Sequence, residues 1–400
     1  MNKQKQKPAS VRALIFSCVS LCAVTLSAGA VAQTSVTLYG VVDNAFTYAS
    51  NQRGHSNITM SQGNLQASKF GFLGSEDLGG GTSTLFRLES GFNSLNGTQG
   101  SSGRIFNRQA YVGLSNTTYG TLTLGRQYTP YFAMVGSLGP TSVLTGATGA
   151  HPGDLDALDT DFRVNNSLMY TSPSFGGLKL SGMYALGGVP GSTNAGATWS
   201  VGAQYLFGAA GVGVGFARFN NATEGGGAWS SSSTAYSGTG EQGESSITNG
   251  YQNAAAQQRF AVTGGYQFSP QWDVSASYSN VQYIAGPNSG FSTTAIFNTG
   301  GAVLHYRPVT SWDLAAGYSY TRATQANGVE DAASYQQINL TELYNVSKRT
   351  RIYVLEAFQR ANGQTINGGK VVTATAAIGE QSAASSRSQF AATIGINHTF

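Results

Sequence analysis

Residues 272–279 read WDVSASYS, and their side chains change character with a period of two. Trp272, Val274, Ala276 and Tyr278 are apolar, whereas Asp273, Ser275, Ser277 and Ser279 are polar. A β-strand turns successive side chains to opposite faces, so this stretch reads as a strand with one apolar and one polar face. The pattern returns at 312–320, where Trp312, Leu314, Ala316, Tyr318 and Tyr320 alternate with Asp313, Ala315, Gly317 and Ser319. It returns again at 178–186, with Leu178, Leu180, Tyr184 and Leu186 set against Lys179, Ser181 and Met183. Composition agrees, with 53 glycines, 20 tyrosines and 20 phenylalanines but only 9 prolines. Glycine disfavours helix interiors, and aromatic residues favour strands.

Two-faced strands suit either a soluble sandwich or a membrane barrel, and strand length separates the two. Sixteen candidate strands fall near 35–49, 65–75, 82–93, 105–115, 120–128, 163–172, 177–187, 198–207, 210–220, 257–268, 271–284, 293–307, 310–323, 334–345, 349–361 and 387–400. Most reach the roughly 9–11 residues that a tilted strand needs to cross a bilayer, whereas strands of ordinary sheets are nearer five or six. The connections alternate in type. Seven are tight, among them SEDLGGGT, SNTTYG, FGAAG and YRPVT, and eight are longer, the longest at 129–162, 221–256 and 362–386. Short turns at one end and long loops at the other are the mark of a transmembrane barrel with an even strand number. The expected fold class is therefore all-β: a 16-stranded antiparallel transmembrane β-barrel with short periplasmic turns and long extracellular loops.

The N-terminal 32 residues read as a targeting segment. Lys3, Lys5, Lys7 and Arg12 precede the apolar run ALIFSCVSLCAVTLSAGA, and AVA stands before Gln33. This is the order of a cleaved signal peptide, so residues 1–32 are expected to be removed and 33–400 to form one barrel domain. Both cysteines, Cys18 and Cys22, lie in this segment, which leaves neither a disulfide framework nor a thiolate metal site. The segment also carries four of the 22 basic residues and no acidic ones, so 18 basic face 18 acidic residues afterwards. A neutral chain lacks the electrostatic footprint of a nucleic-acid binder.

Catalytic and metal chemistry find little support. The four histidines are His55, His151, His305 and His398; no Ser/His/acid spacing and no phosphate loop stands out. HPGDLDALDTDF (151–162) is rich in carboxylates, with Asp154, Asp156, Asp159 and Asp161. Calcium takes such oxygen ligands, but the run lacks the glycine and terminal glutamate of a calcium-hand loop. No enzyme activity, cofactor or resident metal is expected. Parity instead turns charge inward. Lys69 alternates with Phe70 and Phe72, Arg87 and Glu89 with Phe86 and Leu88, and Arg163 with Val164, Leu168 and Tyr170. Arg108 is inward if Tyr111 faces out, and Lys179, Arg259 and Arg307 take the polar parity. A charge facing lipid at the midplane costs a few kcal/mol. Arg126 shares the parity of Leu122 and Leu124 and so is expected outside, at a subunit interface or snorkelling at the membrane edge.

The motifs VTLYGVVD, KFGFLGSEDLGGG, FRLESGF, FNRQAYVGL, LTLGRQY and the terminal INHTF, spread from residue 35 to Phe400, resemble the trimeric general-diffusion porins of Gram-negative outer membranes. The acidic PEFG motif usual in that family's third loop is absent. The resemblance implies a third loop, here 129–162, folded into the barrel so that its acidic residues face a basic wall across the pore. Lys69, Arg108 and Arg163 lie in motifs matching three basic wall positions, with Lys69 replacing the more usual arginine; Arg87 joins them by parity. The resemblance further implies a homotrimer with the Arg126 region central, and a C-terminal aromatic, Phe400, read by the barrel-assembly machinery. The expected partners are outer-membrane lipids, ions and small hydrophilic solutes, and the expected function is their passive diffusion with modest anion preference. A channel selective for an anion, sugar or short peptide is the alternative, and a plugged adhesin or receptor barrel a third.

Overall fold

The computed structural model describes residues 35–101, 103–139, 145–159, 163–222, 233–236, 247 and 249–400; the expected signal segment 1–32 and Asp161 lie outside the described residues. The strands in chain order are β1 (Ser35–Gln52), β2 (His55–Gln62), β3 (Lys69–Gly79), β4 (Thr82–Gly91), β5 (Gln109–Asn116) and β6 (Gly120–Tyr128). After the third long loop come β7 (Arg163–Thr171), β8 (Leu178–Ala185), β9 (Thr198–Phe207), β10 (Ala210–Asn220), β11 (Ala256–Gln267) and β12 (Trp272–Ile284). The chain continues with β13 (Ala295–Val309), β14 (Trp312–Ala323), β15 (Ser334–Asn345), β16 (Thr350–Asn362) and β19 (Ser388–Thr399). A small separate hairpin, β17 (Gln364–Asn367) and β18 (Lys370–Thr373), decorates the last long loop.

Each strand pairs antiparallel with its neighbours, and β19 pairs with both β16 and β1, from Val41 opposite Thr399 to Ala49 opposite Ala391. The sheet therefore closes on itself as a 16-stranded barrel, which removes its edges and leaves a lumen wide enough for water. The seam is sealed by main-chain bonds of Phe400 N to Gly40 O and Gly40 N to Phe400 O, each 3.0 Å. Gly40 is required there. A Cβ at this position would lie 2.3 Å from the Phe400 ring, which covers it.

The strand expected at 65–75 differs. It is built from two segments: β3 pairs with Ser35–Val41 of β1, and β2 pairs with the upper part of the same strand. Residues 63–68 break the crossing between them. The buried Asp43 carboxylate causes the break by accepting Asn64 N at 3.1 Å, Gln66 N at 3.2 Å, Tyr353 OH at 2.7 Å and Asn397 Nδ2 at 2.9 Å. Four donors on one carboxylate outcompete the regular ladder locally.

The two faces separate as the alternation requires. Leu38, Phe46, Val112, Leu124, Val201, Tyr278, Tyr318, Ile338 and Ile396 are exposed on the outside. Near the short turns aromatic pairs form a rim: Tyr205 with Phe207, Trp272 with Tyr306 at 4.2 Å, and Trp312 with Tyr344. An apolar band with an aromatic girdle is what lipid contact demands. Among the described residues no helix is long and apolar enough to cross a membrane. The packed core sits inside the barrel, where the long loops fold in. One cluster joins Leu155, Tyr251, Tyr283, Phe297 and Tyr335, and another joins Tyr131, Val135, Leu158 and Phe219.

Candidate functional site

Of the basic residues expected to face inward, Lys179, Arg259 and Arg307 lie apart on β8, β11 and β13, whereas Lys69, Arg87, Arg108 and Arg163 come together on the wall formed by β1 and β3–β7. Glu89 of β4 organises them. Arg108 Nε donates to its Oε1 at 2.8 Å, and Tyr39 OH donates to Oε2 at 2.8 Å. Arg108 Nη2 also donates to Tyr128 OH at 2.6 Å. The guanidinium of Arg87 lies 5.3 Å from the Tyr39 ring centre, and that of Arg163 lies 5.3 Å from the Tyr128 ring centre. Cations held against aromatic faces keep fixed positions without losing their charge. Lys69 sits within electrostatic reach of Arg108, Glu89, Arg163 and Arg87. The result is a ladder in which one carboxylate offsets one of four cations. It borders a polar recess of about 380 Å³ that also includes Arg351 of β16.

Tyr111 faces the lumen, not the lipid, and bonds to the Arg87 side chain. Arg108 nevertheless points inward. It precedes the first residue of β5 and lies in the loop before the regular pleat begins, so strand parity does not govern it.

The third loop lines the other side of the lumen. It opens with a short helix, α1 (Pro130–Val135), whose N-cap Thr129 accepts from Phe132 N at 3.2 Å with Pro130 in the first turn. The helix lies flat on β8–β11. Glycines permit this approach: a Cβ at Gly213 would stand 2.1 Å from Met134 O, and one at Gly202 would stand 2.6 Å from Pro130 O. Ser200 Oγ accepts from Tyr131 N at 3.0 Å, and Thr263 Oγ1 donates to Val135 O at 2.7 Å. Farther on, Ala147 N donates to Asn64 O at 2.8 Å, so the break at 63–68 is a docking point for the loop. Gln337 Nε2 donates to Thr148 O and Ala150 O at 3.2 and 2.7 Å. Arg259, one of the inward cations, is spent in this docking, donating from Nε to Leu155 O at 3.1 Å.

The loop aspartates do not act alike. Asp156 is fully buried and turned to the β12 wall, where its Oδ2 meets His151 Nδ1 at 2.7 Å and Ser279 Oγ at 2.6 Å. It is therefore withheld from the lumen, in contrast to the expected acidic face. Asp154 is buried and its Oδ1 accepts Asp159 N at 3.2 Å. Asp159 lies close to Asp154 and to Glu380 of the last loop. Burial first, and then these two carboxylates, push its pKa well above the usual value. Burial likewise raises Glu380. The negative charge the loop presents is thus smaller than its aspartate count.

Arg126 differs from its expected place on the outer surface. It is buried, with Nε donating to Asn107 O at 2.7 Å and Nη1 to Asn165 Oδ1 at 2.7 Å and Arg163 O at 3.2 Å. A shift of register between Gly125 and Gln127 against β7 turns it onto these carbonyls. Phe400 faces outward as its parity requires, over Gly40 at the seam. Sequence reasoning missed Tyr39, Tyr128 and Arg351 on the wall. Of these, Arg351 was open to the same parity argument, since it alternates with the exposed Ile352.

Known proteins bear on this arrangement. A sequence profile described as Gram-negative porin matches residues 18–364. An outer membrane porin protein of Bordetella pertussis is 36% identical over 178 residues, 40% of this chain and 46% of its own length. Outer membrane porin protein 32 of Delftia acidovorans is 34% identical over 179 residues, 42% of this chain and 49% of its own. The chain spans about half the length of these curated relatives. Among solved structures, an anion-selective porin from Comamonas acidovorans superposes with a TM-score of 0.67 at 21% identity, over 92% of this chain and 100% of the other. With a profile match across most of its length on a closed barrel of porin architecture, the chain belongs to the Gram-negative porin family, whose place is the outer membrane.

Proposed function

We propose that the barrel is a water-filled channel for passive diffusion of ions and small hydrophilic solutes, with modest anion preference, and that it works as a homotrimer. The observation that carries this reading is the division of the lumen. The described part of the third loop packs mainly on β8–β16 and reaches the opposite wall at Asn64 and, through Phe132, at Tyr128, while Lys69, Arg87, Arg108 and Arg163 stay together on that wall. Glu89 offsets Arg108, His151 offsets Asp156, and Asp159 is held toward its neutral form. Positive charge then dominates the passage. Charge focused by low-dielectric walls over distances near the Debye length of about 10 Å biases which ions pass. The Comamonas porin of similar fold is itself described as anion-selective, which agrees with this sign. Barrel insertion by the assembly machinery and cleavage before Gln33 complete the proposal.

Reversal potentials in a salt gradient across planar bilayers test it. The protein should conduct, with a potential of anion-selective sign. Neutralising Arg87 and Arg163 together should move the potential toward cations. An unchanged potential would place the selective region elsewhere, and an absence of conductance would overturn the channel reading.

A further inference from the structure

We propose that His151 and Asp156 are positioning residues: together they form a clasp that fixes the third loop on β12, and the clasp holds only between an acid and an alkaline limit. This rests on the channel reading above, because the loop must border the conducting path for its position to matter.

The clasp ties together three parts of the chain that are far apart in sequence. The His151 ring and the Asp156 carboxylate are 2% and 0% exposed, and they join at 2.7 Å. On the wall side, Ser279 Oγ donates to the same carboxylate oxygen at 2.6 Å, and Ser277 Oγ lies 3.3 Å from His151 Nε2. The imidazole rests on the backbone of β13 at Gly301, where a Cβ would stand 2.4 Å from Nε2. From the other side, Tyr131 OH donates to Asp156 O at 2.8 Å, which links the clasp to helix α1. Asp156 Oδ1 is buried with no hydrogen-bond partner among the described residues. A buried carboxylate so placed depends on its cation, because an unpaired charge in a low-dielectric interior is strongly unfavourable.

The charged groups around the pair set the limits. Asp154 faces His151 from the same segment, Arg259 of β11 acts on Asp156, and Asp159 lies beyond it with Glu380 of the last loop alongside. Burial opposes the charge on His151, but Asp156 and then Asp154 outweigh it and hold the imidazole above its ordinary value of 6.5. The clasp is then at full strength below that ordinary value and is lost as pH rises through the raised one. Burial likewise opposes the charge on Asp156, and His151, Ser279 and Arg259 outweigh it to hold the carboxyl below 3.8. That contribution is full above 3.8 and is lost as pH falls through the depressed value. Asp159, raised by burial and by Asp154, Glu380 and Asp156, gains negative charge as pH climbs and then repels the Asp156 carboxylate. Sequence proximity hides the device. His151 and Asp156 are five residues apart, but the serines they need lie 126 and 123 residues away.

Single-channel recording of the full protein in planar bilayers across a pH series tests the proposal. Wild type should give a quiet open current near neutrality and growing open-channel noise in alkali. The loosened population should rise about tenfold per pH unit between the ordinary and the raised imidazole values. Asp156→Asn keeps a hydrogen bond to neutral imidazole but removes the charge, so its alkaline rise should disappear. His151→Ala should be noisy at every pH. Should His151→Ala fail to yield a folded, heat-modifiable barrel, the Asp156→Asn profile decides alone. A wild-type alkaline rise in Asp156→Asn, or no pH-dependent noise in wild type, overturns the clasp. Deleting 147–157 separates this from the broader reading. Unchanged conductance after deletion means that the loop does not border the path, whereas increased conductance leaves the clasp to stand or fall on Asp156→Asn.

Discussion

Gly213→Ala is the sharpest probe of how the third loop is seated. The added methyl would lie 2.1 Å from Met134 O, 3.1 Å from Met134 C and 3.2 Å from Val135 Cα, where ordinary contact begins at 3.4 Å. These are backbone atoms of a helix end, so no side chain can swing aside. Helix α1 must retreat by about 1.3 Å, the difference between 2.1 and 3.4 Å. Overpacking of this kind costs about 1–3 kcal/mol. The retreat also strains the bonds from Thr263 Oγ1 to Val135 O at 2.7 Å and from Gln204 Nε2 to Met134 O at 3.3 Å. Each is worth about 1 kcal/mol, so the seat weakens by roughly 3–5 kcal/mol in total. The pairing of β10 with β9 and β11 is not involved, so the barrel should still form while the loop shifts. Single-channel conductance and open-channel noise should both change. Gly300→Ala, with no heavy atom within 4 Å of the new methyl, should behave as wild type. A Gly213→Ala channel indistinguishable from wild type would refute the seating of α1 on β10.

Two further outcomes concern assembly. Deleting Phe400, or replacing Gly40 by alanine so that a methyl collides with the Phe400 ring and with Lys69 O, should each reduce the folded, heat-modifiable oligomer on gels. Normal yields from both variants would show that the seam does not limit assembly. The intact mass of outer-membrane material should correspond to a chain beginning at Gln33. A species retaining Cys18 and Cys22 would show that the segment is not removed there.

How much of the molecule was legible in the sequence depends on the range of the forces involved. Period-two alternation and the contrast of short turns with long loops lie within one strand or one connection. Lipid on one side and water on the other then dictate which face each side chain takes, so Trp272, Tyr278, Trp312 and Ile396 are outside, and Ser277 and Ser279 inside. The inward turn of Lys69, Arg87 and Glu89 follows from the same rule. Where the chain leaves the regular pleat, the rule loses its grip. Arg108 precedes its strand, a register shift redirects Arg126, and Asp43 draws four donors to break a crossing that alternation would have run straight through. The aspartates of 154–159 were visible as a charge run, but their roles were not. Whether a carboxylate meets the lumen, a histidine or another carboxylate depends on the wall against which its loop lies. Ser279, Arg259, Glu380 and Gly301 come to that place from four different elements. Only closure of the barrel brings them within hydrogen-bonding and Coulombic reach, and such interactions act through space without leaving a periodic trace along the chain.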